Sequence, residues 1–114
     1  MPTLGCVFFR TDAGSEPVRE WLKEDMPASA RKTMGADIRT VQATWPVGMP
    51  LVGVLGRGLW EVRSTSGGVE YRVAFAIVSG EMVLLNGFTK TTPKTRKHDL
   101  DLASGRKAAL ERKR

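Results

Sequence analysis

The stretch GLWEVRSTSGGVEYRVAF, residues 58–75, decides the fold. Apolar and polar residues alternate on either side of Ser66-Gly67-Gly68, which reads as two β-strands joined by a tight hairpin. If Gly67 and Gly68 form a two-residue turn, Arg63 lies directly opposite Arg72. Alternation then places Leu59, Glu61, Arg63, Thr65, Glu70, Arg72, Ala74 and Ala76 on one face, and Trp60, Val62, Tyr71, Val73, Phe75 and Ile77 on the other. The second set is apolar and forms the core. Like charges directly opposite one another destabilise a strand pair by up to ~1 kcal/mol, so something must offset the arginine pair. Two arrangements would do so. Glu61 and Glu70 share the arginine face and can complete a charged ladder. Alternatively, both guanidiniums converge on an oxyanion, because arginine offers a rigid donor fork that matches phosphate and stays ionised when partly buried.

Working outward, Ser79-Gly80 suits a second hairpin, giving strands over 59–65, 69–78 and 82–89. With that turn, Met82, Leu84 and Phe88 join the core face, while Val83, Leu85 and Gly87 join an arginine face that is small and mixed, as an open concave surface would be. Upstream, TLGCVFFRT reads as a first strand ending at Asp12-Ala13-Gly14. Ser15 suits a helix cap, with Pro17 in the first turn and Val18, Trp21 and Leu22 on one face until Met26-Pro27. Ala30, Met34, Ile38 and Val41 form the stripe of a second helix. The prolines and Gly48 make 45–50 irregular. From about Thr95, Leu100, Ala103, Lys107 and Leu110 recur at helical spacing in a basic segment. The predicted order, β-α-α-β-β-β-α, is an α+β domain over 1–114: an antiparallel sheet with helices packed on one face.

The chain has 114 residues and a formal charge of +6. That length supports a single core. Through Thr89, nine Lys/Arg balance nine Asp/Glu, whereas the last 25 residues carry nine cations against three anions, so the whole excess lies there. A localised positive end suits either a polyanionic partner, nucleic acid before membrane, or a solvated tail. No apolar run approaches the ~20 residues of a membrane span. The start lacks the pattern of a secretory signal, and Cys6, the single cysteine, has no internal partner, so a reducing cytoplasm is expected. No Cys/His cluster has metal-ligand spacing, and no phosphate-loop motif occurs; neither a metal nor a cofactor is expected.

Leu55-Gly56-Arg57-Gly58-Leu59-Trp60-Glu61-Val62-Arg63, then Tyr71-Arg72-Val73, then Leu84-Leu85-Asn86-Gly87-Phe88-Thr89-Lys90-Thr91 and a basic helix resemble the RelE/ParE superfamily, most closely its HigB-like, phage-associated branch. The likeness spans almost the whole chain. It implies a small RelE-like toxin of a type II toxin-antitoxin system: an endoribonuclease that cuts mRNA on the ribosome, held inactive by a cognate helix-turn-helix antitoxin protein. It also implies that Arg63, Arg72 and Lys90 stand where the family's catalytic cations do, with basic residues near the C-terminus assisting. The chain departs from the pattern at Thr91, where the family often has a second lysine, and at Pro93, a proline that comes early.

RNA is cut without a metal when its 2′-OH attacks the adjacent phosphate, which requires cations for the charge building on phosphorus and groups that move protons. Arg72 is the first choice for the phosphate, with Arg63 orienting it. Lys90 supplies further charge or acts as a base. His98, the only histidine, is the candidate acid, or else an exposed side chain at the start of a polar helix. Lys94, Arg96, Lys97, Arg106 and Lys107 are the candidate RNA-binding cations, with solvation as the other reading of that tail. Phe88 is either a base-stacking ring or, by its parity, core. Two readings from other classes stay open: a ParE-like toxin that poisons DNA gyrase, and a catalytically inactive phage protein that binds RNA or an antitoxin.

Overall fold

A computed structural model describes residues 3–91 and 93–113. In chain order the elements are β1 (Gly5–Phe8), α1 (Pro17–Glu24), α2 (Ala28–Thr44), β2 (Val52–Gly56), β3 (Leu59–Ser66), β4 (Val69–Val78), β5 (Glu81–Lys90) and α3 (Lys97–Arg112). The strands form one five-stranded sheet in the order β1-β5-β4-β3-β2. The α+β class and the run from β3 through α3 follow the sequence expectation. The sheet itself is mixed, because β1 lies parallel to β5 rather than antiparallel.

The Gly67-Gly68 turn sets the register as expected. Both glycines adopt positive φ, +59° and +78°, as the two central residues of a type I′ hairpin must. Arg63 therefore pairs with Arg72 and Val62 with Val73. A further strand, β2, pairs antiparallel with β3; it was unforeseen between the prolines of 46–50 and the glycines of 56–58. Ser15 does not cap α1: its hydroxyl bonds Thr11 at 2.9 Å, and Glu16 takes the cap position without a side-chain bond.

Two corrections concern which side chains reach which face. In the β4–β5 pair, Phe75 faces Leu84 but Ala74 faces Asn86, so Leu85 is an extra residue at a bulge. Past a bulge, strand parity inverts. Phe88 consequently faces Arg72 and Gly87 faces Val73, the reverse of the expected assignment. The second correction is to the layering. On the apolar face, Val62, Val73, Phe75, Met82 and Leu84 pack with Val18 of α1 and with the α2 stripe Ala30, Met34, Ile38 and Val41. On the arginine face, Ala103 of α3 packs with Leu59, Ala74, Ala76, Val83, Leu85 and Phe88. Helices therefore cover both faces, and the arginine face is open only where α3 does not reach.

Candidate phosphate site

Strand alternation delivers Glu61, Arg63, Glu70, Arg72 and Lys90 to one face, with Arg63 opposite Arg72 and Glu70 opposite Lys90. Gly53, on β2, pairs with Glu61. A Cβ at Gly53 would stand 3.0 Å from Arg63 Nε and Nη2, so the Arg63 guanidinium lies over a backbone that only glycine leaves bare.

Glu61 is the centre of the group. It is 1% exposed. Its Oε2 accepts from Arg63 Nε at 3.2 Å and stands 3.7 Å from Arg72 Nε, while its Oε1 accepts from the Thr95 hydroxyl at 3.1 Å. Lys90 Nζ donates to the same hydroxyl at 3.4 Å. One buried carboxylate thereby ties two strands, the end of β5 and the loop before α3. A charge buried so deeply is tolerated because two guanidiniums face it.

The two arginines differ in access. The Arg63 side chain is 32% exposed and that of Arg72 only 5%. Arg72 donates from Nη1 to the Tyr71 carbonyl at 3.1 Å and from Nη2 to Glu70 at 2.5 Å, and its buried Nε has no hydrogen-bond partner. The Glu70 side chain is 54% exposed. The charged ladder, one of the two arrangements weighed for the arginine pair, is thus present, and it borders two clefts. A cleft of about 360 Å³ is lined by Pro50, Leu51, Arg63, Thr65, Glu70 and Arg72. Another, of about 280 Å³, involves Glu61, Arg63, Lys90, Lys94, Thr95 and Leu100. Arg63 borders both clefts with a partly exposed guanidinium.

The remaining candidates divide. Lys94 lines the second cleft. His98 is exposed in the first turn of α3 and lines neither cleft. Arg96 bonds the Thr91 hydroxyl, and Lys97 pairs with Asp101 at 2.6 Å. Asp101 also accepts from Arg57 at 3.1 Å, and these two cations hold its carboxyl below the usual carboxylate range, Lys97 contributing more. Arg106 donates to the Leu85 carbonyl at 2.8 Å, sits 5.8 Å from the Phe9 ring centroid, and has its pKa lowered by burial. Lys107 lies against Gly58 and pairs with Glu111 at 2.9 Å. Arg106 therefore ties α3 to β5, and Lys107 lies beside the β2–β3 turn. Arg114, the end of the basic tail, lies outside the described residues. Phe88 is buried beneath α3, where no base can stack on it.

Sequence reasoning passed over three contributors. Thr95 has no motif around it. Gly53 is hidden in an unforeseen strand. Asn86 is 7% exposed and donates to the Asp99 carbonyl and carboxylate at 3.4 Å, fixing the start of α3 over the sheet; its buried position depends on the bulge. Among the described residues, no group of three or more His, Cys, Asp or Glu is placed to share a metal ion, and no helix is long and apolar enough to cross a membrane.

Residues 20–108 match the family model described as Phage derived protein Gp49-like (DUF891). No curated protein matches the chain.

Proposed function

The chain belongs to the Gp49-like family of phage-derived proteins, within the RelE/ParE-like toxin superfamily, and on that premise we propose that it is the toxin of a toxin-antitoxin pair and acts as a ribosome-dependent mRNA endonuclease. The observation that carries this reading is the placement of Arg63 opposite Arg72 beside an open cleft. In this reading, single-stranded mRNA runs along the clefts with its scissile phosphate against the two guanidiniums. The 2′-oxygen attacks phosphorus and its proton passes to water in the open cleft. The bond to the 5′-oxygen breaks, leaving a cyclic phosphate. Arg72 stabilises the charge on the phosphorane and Arg63 orients it. Lys90, at the adjoining cleft, protonates the departing oxygen. His98, exposed beyond that cleft, takes no step. The HigB-like assignment, the helix-turn-helix antitoxin and a cytoplasmic site of action belong to the same proposal.

A second reading, an inactive protein that binds RNA or an antitoxin, is favoured by one observation: both arginines carry carboxylate partners. Primer extension on total mRNA after induction separates the readings. Codon-phased cuts by the wild-type chain that disappear in Arg63→Ala establish the nuclease. Intact mRNA with DNA breaks points to gyrase, and intact mRNA with intact DNA removes both toxin activities and leaves the binding protein. Arg63 is the better target than Arg72 because its partial exposure leaves Glu61 still facing the buried guanidinium.

A further inference from the structure

We propose that Glu70 occupies the oxyanion seat of Arg72 in the free protein, and that an RNA phosphate enters by exchanging with this carboxylate; the inference rests on the phosphate-binding reading above. The two acidic residues of the site are not equivalent. Glu61 is fully buried and held by Arg63 and Thr95. Glu70 stands at the second position of β4, beside the hairpin turn, with its side chain half exposed and a bond to Arg72 Nη2 as its anchor. Withdrawing Glu61 would strand the buried Arg72 guanidinium and the partly buried Arg63, whereas Glu70 can rotate into water and be hydrated there.

The Arg72 side chain lines the cleft and yet is almost sealed. The Glu70 carboxylate takes the Nη2 donor, while Nη1 is held by the Tyr71 carbonyl. A phosphate oxygen offers the same charge sign and the same acceptor chemistry as that carboxylate, so it fits the position that Glu70 fills. The exchange is also balanced in charge. Arg63, Arg72 and Lys90 face Glu61 and Glu70, and replacing one carboxylate by one phosphodiester leaves the local sum unchanged. Weak free anions then compete poorly with a tethered carboxylate, while a phosphate presented at high effective concentration displaces it. The free protein is thereby shielded from indiscriminate polyanion binding at its most reactive cation.

The test is titration with inorganic phosphate, followed through the backbone amide signal of residue 72 by NMR, which every variant retains, in the wild type, Glu70→Gln and the remote control Glu16→Gln. Glu70→Gln is expected to bind phosphate about fivefold more tightly, the size set by losing a half-exposed ion pair, and Glu16→Gln to match the wild type. Adding Arg72→Lys to Glu70→Gln is expected to abolish the gain. The proposal is overturned if Glu70→Gln binds no more tightly than Glu16→Gln, or if the gain survives Arg72→Lys. A phosphate gain without RNA cleavage by any variant upholds the exchange and removes the nuclease reading, and codon-phased cleavage without the gain removes the exchange alone.

Discussion

The two faces of the sheet come from the same alternation and meet opposite fates. On one, α1 and α2 cover most inward side chains of β3 to β5, and the result is a mainly apolar layer around Phe75, itself against Trp45 and Trp60, with Ser64 buried in it and bonded to Asp37 of α2. On the other, α3 covers Ala74, Ala76, Val83, Leu85 and Phe88 but leaves Arg63 and Glu70 partly in solvent. The difference teaches that a charged site inside a small sheet is made by incomplete cover. The rows of the ladder are equivalent until a helix lies on some of them and not on others.

That contrast makes graded predictions. Phe75→Ala should be the most destabilising, by about 4 kcal/mol in urea unfolding, because a fully enclosed aromatic side chain leaves a cavity; a loss near that of an exposed substitution would mean the covered face is not the principal core. Glu61→Ala should cost about 3 kcal/mol despite removing only a charged side chain, since it leaves two cations around an empty site. A Glu61→Ala chain as stable as the wild type would show that the cluster contributes nothing to the fold.

The same substitution on opposite faces sharpens the comparison. Gly87→Ala places a Cβ 2.2 Å from the Trp21 ring on the covered face and should cost about 2 kcal/mol by overpacking. Gly53→Ala meets only the movable end of Arg63, so its stability should change by less than ~0.5 kcal/mol, while on the proposed nuclease reading mRNA cleavage falls through displacement of that guanidinium. Equal stability losses in the two variants would erase the distinction between a closed and an open face.

The smallest effect is at Asp101, which links the β2–β3 turn to α3 through Arg57 and pairs with Lys97 one turn earlier in the same helix. Its carboxyl is held below its ordinary range in the folded chain, so the linkage contributes at pH above the unfolded carboxylate value of ~4 and is lost as pH falls through the lower folded value. Asp101→Asn should melt slightly below the wild type at neutral pH, with the gap closing in acid. A gap that widens in acid would reverse the assigned sign.

Cys6 is half-buried on β1, and burial first, with Glu81 second, raises its pKa, which keeps it protonated.

What the chain determined by itself is what its neighbours in sequence could enforce. The double glycine after Ser66 admits a tight turn, and a period of two then brings Arg63 opposite Arg72 without help from the rest of the molecule. The α2 stripe is legible for the same reason, because four apolar residues at helical spacing need only one face to bury. The tertiary structure alone decided the rest. β1 finds its parallel partner in β5 across most of the chain, β2 becomes a strand because β3 offers it an edge, and the bulge at Leu85 reverses Gly87 and Phe88 where no glycine or proline marks the position. Above all, the cover of one face by α3 separates Phe88 in the core from Arg63 in the cleft. Such choices depend on contacts between distant segments, whose free energy no local pattern carries.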